Sequence, residues 1–199
     1  ERLPALGFDP RTDVQVLAPT RRGALGTERL NQALQARLNP ETAAMTRGER
    51  EFRKNDRVIC TRNRYDLEIF NGDTGRIADL RGDTLVIEFD GRAVTWDRDD
   101  LAMLDLAYAI TVHKSQGSEY PAVVLALHGS HSLMLRRNLF YTAATRPKRF
   151  LCVIGSPEAW ARAVKNVGAD DRNTGLAARL ALEGPSASVS PDLSPGNET

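Results

Sequence analysis

The pattern of hydrophobic and polar positions predicts an α/β fold. Short apolar runs, typical of buried strands, alternate with stretches in which apolar residues recur every three or four positions, as on one face of a helix. The predicted strands of this kind cover residues 13–18, 107–112, 121–127 and 150–155. The predicted helices cover residues 28–38, 132–145 and 157–167. Strands that alternate with helices form a largely parallel sheet with helices on its faces.

Signals at the ends of two helices support these boundaries. Thr27 can cap the first helix, because its hydroxyl can accept a hydrogen bond from a free backbone N–H, and Asn39-Pro40 ends it. Ser156 can cap the last helix, and Gly168 can end it.

The pattern changes between residues 47 and 105. Short β-rich runs are separated there by tight turns such as Asn71–Gly75 and Asp90-Gly91, since Asn, Asp and Gly tolerate positive φ. The predicted strands of this part cover residues 56–61, 76–80, 84–89 and 92–96. Several short strands at close spacing predict a small barrel.

We therefore predict one α/β domain that is interrupted by an inserted barrel. Its first part covers residues 1–46, the insertion 47–105 and its second part 106–183. Residues 184–199 are rich in Ser and Pro with little to bury, which predicts a disordered tail. Because the chain begins with Glu rather than Met, we interpret it as a piece of a longer protein.

Composition adds little, but local charge adds more. Hydrophobic residues make up 41% of the 199 residues, enough for a sizeable core, and the net charge of +1 does not by itself indicate a nucleic-acid partner. Residues 47–64 contain seven basic and three acidic residues, and residues 136–149 contain five basic residues and no acidic one. Such patches can bind a phosphate backbone, although a solvated surface is the simpler interpretation of each.

Cys60 and Cys152 lie in apolar runs, so we expect buried, reduced thiols and a cytoplasmic protein. No apolar run is long enough to cross a bilayer, and we expect no membrane partner.

A dense polar cluster lies between two predicted strands, one of which ends near residue 112 while the next begins near residue 121. Residues 109–120 read Ala-Ile-Thr-Val-His-Lys-Ser-Gln-Gly-Ser-Glu-Tyr. Polar groups of this density are costly in a core, but they suit the end of a strand, where they can meet a ligand. The donors suit phosphates and bases, and the carboxylate suits a ribose hydroxyl.

This segment resembles motif V of superfamily-1 helicases of the RecD-like type. Residues 138–149, Asn-Leu-Phe-Tyr-Thr-Ala-Ala-Thr-Arg-Pro-Lys-Arg, resemble motif VI, and residues 14–27 resemble the motif IV region. The resemblance implies the C-terminal motor domain of a 5′-to-3′ DNA helicase, with the UvrD-like C-terminal helicase fold. It implies a RecA-like parallel sheet with flanking helices and an inserted SH3-like barrel.

The resemblance also implies the residues that bind nucleotide. Arg146 would neutralise charge on the transferring phosphoryl group, as an always-charged guanidinium can. A second γ-phosphate arginine would be Arg22, which fits better than Arg21. Gly117 and Glu119 would face the nucleotide together with Arg146.

The same resemblance implies contacts with single-stranded DNA. Hydroxyl, imidazole and ammonium groups bind phosphates without reading sequence. The implied contact residues are Thr111, His113, Lys114, Ser115 and Gln116. We interpret His128 and His131 as structural. Phe70 and Trp96 of the barrel are candidates either for its core or for stacking on bases.

No Gly-x-x-x-x-Gly-Lys-Ser/Thr segment is present in this chain, and no metal site is predicted. ATP with Mg²⁺ would therefore be shared with an N-terminal motor domain of the same parent protein, and we expect no ATPase from this chain alone. Two other readings remain open, the C-terminal part of a conjugative relaxase-helicase and a non-catalytic module that binds single-stranded DNA. A third is a degenerate motor whose barrel binds protein.

Overall fold

The computed structural model describes residues 2–40, 43–132 and 134–167. In chain order the strands are β1 (Val14–Ala18), β2 (Ala44–Arg47), β3 (Arg50–Arg53), β4 (Arg57–Cys60), β5 (Thr74–Arg81), β6 (Thr84–Phe89), β7 (Arg92–Asp97), β8 (Leu104–Leu106), β9 (Ala109–Thr111), β10 (Tyr120–Leu127) and β11 (Pro147–Gly155). The helices are α1 (Arg2–Ala5), α2 (Thr27–Leu38), α3 (Arg137–Ala144) and α4 (Pro157–Lys165). The predicted tail at 184–199 and the helix end at Gly168 lie outside the described residues.

The first sheet is parallel throughout, in the order β11-β10-β1-β9, which confirms the predicted α/β fold. Its two central strands, β10 and β1, are almost fully apolar, as expected for strands covered on both faces. Ala18 at the end of β1 pairs with Thr111 at the end of β9. Tyr120 at the start of β10 pairs with Pro147 at the start of β11. We call the side where the strands end the carboxyl edge, and the side where they begin the amino edge.

The second sheet is antiparallel, in the order β7-β6-β5-β4-β8, and forms the predicted insertion. It has a core of its own, in which Trp96 and Leu85 are fully buried. Of the two alternatives left open for Trp96, core or stacking on bases, its full burial supports the core. Phe70 is 49% exposed and lies beside Tyr65 on the surface instead.

A hairpin that the sequence did not predict leads into this sheet. Strands β2 and β3 pair around a turn in which Gly48 has a φ of 58°, a conformation that glycine adopts without strain. Met45 and Phe52 point from the hairpin into the core of the second sheet.

Two predicted details of the helices are wrong. The helix predicted over 132–145 begins only at Arg137, because the Arg137 N–H donates to the Asn166 carbonyl, 2.7 Å away, and Arg136 is extended. The cap of α2 is Gly26 rather than Thr27, whose side chain makes no capping bond. Ser156 does cap α4, and its hydroxyl accepts the Ala159 N–H at 3.2 Å.

Candidate functional site

The polar segment 111–120 runs from one edge of the parallel sheet to the other. It leaves β9 at Thr111, on the level of Ala18, and enters β10 at Tyr120, on the level of Pro147. Since Leu17 pairs with Leu125, these two levels lie about six residues apart, or ~20 Å along the strands. The two ends of the segment, at Thr111 and Tyr120, therefore lie at opposite ends of the strands of this sheet.

At the carboxyl edge, the segment forms a short turn over Val112–Ser115. The Thr111 hydroxyl caps this turn by accepting the Lys114 N–H at 3.4 Å. His113 is exposed and Lys114 is half-buried. Burial is the main cause that lowers the pKa of Lys114; the charge of Asp105 opposes this.

Ser115 does not reach this surface. Its side chain is fully buried, and its hydroxyl donates to the Val112 carbonyl at 2.7 Å. The predicted DNA contact by Ser115 is therefore not supported, because the hydroxyl serves to hold the turn. Gln116 is exposed just beyond it.

Arg22 lies at the carboxyl edge as well, in the loop that follows β1. Within the described part of the chain its side chain has no hydrogen-bond or ion-pair partner, whereas Arg21 pairs with Glu28 and Asp105. Arg22 is thus the freer of the two arginines, but the structure does not bring it to Arg146. Because β1 runs parallel to β11, a residue after β1 and a residue before β11 lie at opposite edges.

At the amino edge, three of the predicted nucleotide-binding residues do come together. Gly117 is exposed with a φ of 83°, which favours glycine and leaves the backbone open to close approach. The Arg146 guanidinium donates to the Ser118 carbonyl at 3.2 Å and so lies against the loop that carries Gly117 and Glu119. Glu119 is exposed and pairs with Lys148 at 3.2 Å.

The bonds of Arg146 leave its charge uncompensated. Besides Ser118, it donates to the Thr142 carbonyl at 3.0 Å and to the Thr145 hydroxyl at 3.0 Å, and all three acceptors are neutral. These bonds use three of the five N–H groups of a guanidinium and fix its plane. A half-buried cation held in this way is suited to an anionic ligand such as a phosphate.

His131 has the structural role that was predicted for it. It is buried, its Nδ1 accepts the His128 N–H at 3.3 Å, and burial is the main cause that lowers its pKa. Among the described residues, no cluster of His, Cys, Asp or Glu side chains could hold a metal ion. None of the described helices is long and apolar enough to span a bilayer.

A groove of about 860 Å³ beside Thr111 and Lys114 was not anticipated. It lies between α2 and the β2–β3 hairpin, and Asp105 in its wall binds both Arg21 and Arg50. The run of basic residues that begins at residue 47 indicated a positive surface that includes the hairpin arginines of this groove. Asp105 gave no signal, because its role depends on where β8 pairs.

Two families match this chain in separate parts. Residues 30–89 match the family described as the ATP-dependent RecD-like DNA helicase SH3 domain. Residues 106–154 match the UvrD-like helicase C-terminal domain.

Individual proteins agree with this result. The ATP-dependent RecD2 DNA helicase of Deinococcus radiodurans is 43% identical over 167 residues, which are 84% of this chain and 23% of that protein. The RecBCD enzyme subunit RecD of Mycolicibacterium smegmatis is 35% identical over 167 residues, 83% of this chain and 29% of that protein. The chain thus spans about a quarter of the length of these relatives.

A solved structure shows the same fold. Pif1 helicase from Bacteroides, in complex with ADP-AlF3 and single-stranded DNA, superposes with a TM-score of 0.58 at 16% identity, over 85% of this chain and 46% of that one.

Proposed function

Because the chain belongs to the RecD-like DNA helicases, as their C-terminal region, we propose that it is the C-terminal motor half of an ATP-dependent helicase. The parent protein would translocate on single-stranded DNA in the 5′-to-3′ direction and unwind duplex DNA. It would act in the cytoplasm, and its N-terminal motor half would hold ATP and Mg²⁺ jointly with this chain.

The observation that carries the proposal is the segment 111–120, which presents different chemistry at each edge of one sheet. At the amino edge, Arg146 offers an uncompensated cation beside Gly117 and the Glu119 carboxylate. This set fits a nucleoside triphosphate, with the guanidinium at the phosphates and the carboxylate at the ribose hydroxyls. ATP would supply the phosphoryl group that is transferred to water.

Arg146 would contribute to that transfer through charge. Negative charge on the equatorial oxygens of the transferring group is stabilised by a guanidinium fixed in place beforehand. The bonds of Arg146 to Ser118 and Thr142 provide this fixed position. Closure of the cleft between the two motor halves would bring Arg146 to the γ-phosphate.

At the carboxyl edge, the exposed side chains suit a phosphate backbone. Thr111, His113, Lys114 and Gln116 can donate to phosphate oxygens without reading bases. We assign Arg22 to this set rather than to the γ-phosphate, because it follows β1 at the same edge.

The test is Arg146→Ala in the full-length parent protein. We expect the DNA-stimulated ATPase rate to fall ~10³-fold or more, with single-stranded DNA binding largely unchanged. Arg146→Lys should recover little activity, because an ammonium lacks the planar fork. Steady-state kinetics and fluorescence anisotropy with an oligodeoxythymidylate measure the two properties.

Arg149→Ala is the matched control, because Arg149 belongs to the same basic run but lies over the Phe8 ring, 5.1 Å from its centroid. Intact ATPase in the Arg146→Ala protein would contradict the assignment and favour a non-catalytic module that binds single-stranded DNA.

A further inference from the structure

Strand β4 of the inserted domain extends one charged side chain to the amino edge of the parallel sheet. The Arg57 guanidinium donates to the Val14 carbonyl at 2.8 Å and to the Gln15 amide oxygen at 2.6 Å, at the start of β1. Gln15 is fully buried, and its own amide donates to the carbonyls of Ala107 and Tyr108, both at 3.2 Å, just before β9 begins. Arg57 and Gln15 therefore join the inserted domain to the starts of two strands.

The charge of Arg57 is not neutralised by these contacts. Both acceptors are neutral, and none of the carboxylates in the described ranges forms an ion pair with it. Burial is the main cause that lowers the pKa of Arg57, although a guanidinium stays protonated in proteins. Burial of an unpaired charge is unfavourable, and an amide or apolar side chain would connect the two parts without that penalty. The cation at this position therefore indicates a role beyond packing.

Arg146 lies at the same edge, just before β11, and β10 separates that strand from β1. Tyr120 begins β10 and connects the two arginines. Its N–H donates to the Arg146 carbonyl at 3.0 Å, and two residues later Ala122 pairs with Val14. The Tyr120 side chain is partly buried and packs on the core to which Ile59 of β4 belongs. Tyr120 thus contacts both the loop of Arg146 and the region reached by β4.

The Tyr120 hydroxyl is within electrostatic reach of both guanidinium groups. Burial is the main cause that raises its pKa, and a hydrogen bond with the Ser118 side chain opposes this, as do the charges of Arg57 and Arg146. Ser118 also provides the carbonyl that accepts from the Arg146 guanidinium at 3.2 Å. The contacts that lead from Arg57 to Arg146 therefore pass through one phenol and one serine.

We propose that Arg57 is a positioning residue for Arg146, and that it makes the arrangement of the nucleotide-binding loop depend on the position of the inserted domain. A shift of the inserted domain displaces Arg57 first, because this side chain belongs to β4 but ends on β1. Tyr120 moves with it, and Tyr120 holds the loop that fixes the Arg146 guanidinium. The proposal rests on the proposed function, which assigns Arg146 to the γ-phosphate.

The test is a double-mutant cycle in the full-length parent protein. Arg57→Gln keeps an amide that can donate a hydrogen bond, but it removes the charge and the planar fork. We expect the kcat of the DNA-stimulated ATPase to fall by roughly 10- to 100-fold, the loss caused by a small misplacement of a catalytic group, with the KM for ATP nearly unchanged. The affinity for an oligodeoxythymidylate should stay the same, since Arg57 lies at the amino edge.

The second half of the cycle separates positioning from folding. If Arg57 acts through Arg146, the double variant should hydrolyse ATP at the same residual rate as Arg146→Ala alone. A variant that only folds less well loses the same fraction of activity in both backgrounds. Single-turnover measurements of phosphate release with excess enzyme resolve these low rates.

Arg76→Gln is the matched control. Arg76 lies directly opposite Arg57 on β5, but its guanidinium donates to Asn55 at 3.1 Å on the surface, so its kcat should equal that of the unmodified protein. Arg57→Lys keeps the charge and should recover part of the lost rate. If circular dichroism shows that Arg57→Gln is not folded, Tyr120→Phe is measured in the same cycle, because it removes a single oxygen; its loss should also appear only when Arg146 is present.

An equal loss in both backgrounds would make Arg57 a purely structural link and overturn the proposal. If Arg146→Ala lowers turnover while folded Arg57→Gln keeps the full kcat, the positioning role fails and the proposed function stands. If Arg146→Ala itself keeps its ATPase, both fail.

Discussion

At the scale of single residues, the most constrained side chain is the Asp56 carboxylate. It is fully buried, and it accepts hydrogen bonds from the Asn39 amide at 2.7 Å, the Arg53 N–H at 2.7 Å, the Tyr108 hydroxyl at 2.9 Å and the Gln35 amide. Burial, together with the charge of Asp56, raises the pKa of Tyr108, which keeps its hydroxyl protonated and able to donate. One carboxylate thus joins α2, the hairpin and the segment that returns from the inserted domain.

Asp56→Ala should lower the free energy of unfolding by about 3 kcal/mol or more, because it leaves several buried donors without an acceptor. Urea unfolding followed by circular dichroism measures this loss. Asp79→Ala is the control, since Asp79 pairs with Lys54 and Arg81 on the surface and its removal should cost less than about 0.5 kcal/mol. Equal losses for the two variants would contradict the role of Asp56.

The residues also show what the sequence could and could not predict. The motif resemblance led to Arg146 and Glu119, and these do lie against one loop. It also grouped Arg22 with these two residues, although Arg22 lies at the opposite edge of the sheet. The motifs could not show this, because the edge at which a loop emerges depends on the direction of its strand. Ser115 was predicted to contact a ligand, but it is buried. The sequence does not indicate which hydroxyl of a polar turn is buried.

At the scale of elements, the loop that joins β1 to α2 is shaped by a close backbone contact. Gly26 is buried before the helix, and a Cβ added there would lie 2.5 Å from the carbonyl oxygen of Arg21. The Glu28 N–H donates to that same carbonyl at 3.1 Å, so the loop folds back on the first turn of the helix. The position of Arg21 and Arg22 therefore depends on the absence of a side chain at residue 26.

Gly26→Ala should displace this loop, at a cost of about 1–3 kcal/mol in unfolding free energy, the range found for overpacking. We also expect weaker binding of single-stranded DNA, because Arg22 and the Arg21–Asp105 pair move with the loop. Anisotropy and urea unfolding measure the two effects. Gly129→Ala should change neither, since a Cβ there meets open space; unchanged DNA binding by Gly26→Ala would show that the loop does not contribute.

Elements were predictable where local signals dominate, as for most strands of the two sheets and for α4 with its Ser156 cap, whereas the three-residue strand β8 was missed. The start of α3 was not, because it depends on a hydrogen bond from Arg137 to Asn166, almost thirty residues away. The β2–β3 hairpin was missed because its strands are four residues each and mostly polar, which gives no alternating pattern.

At the scale of the whole molecule, strand β4 contributes side chains to the hydrophobic cores of both sheets. Val58 and Cys60 belong to the core of the inserted domain, but Ile59 between them packs into the core of the parallel sheet. The Arg57 guanidinium reaches in the same direction and donates to the Val14 carbonyl at 2.8 Å and to Gln15 at 2.6 Å. Side chains of β4 therefore serve both cores in alternation.

We expect the two sheets to unfold in one cooperative transition. In a Trp160→Phe background, fluorescence reports only Trp96 of the inserted domain, whereas circular dichroism at 222 nm is dominated by the helices around the parallel sheet. The two urea midpoints should coincide, and Ile59→Ala should shift both by the same amount. Two separate midpoints would show that the inserted domain is thermodynamically independent.

The segment 111–120 has a consequence for the energetics of any two molecules that occupy its ends. If a ligand at one end rearranges these ten residues, it alters the free energy of occupancy at the other end. Under the proposed function, thermodynamic reciprocity then requires that the factor by which a nucleotide changes the dissociation constant for DNA equals the factor by which DNA changes that for the nucleotide. Gln116 and Gly117 join the part of the segment assigned to the carboxyl edge to the part assigned to the amino edge, so we expect substitutions there to change this coupling energy.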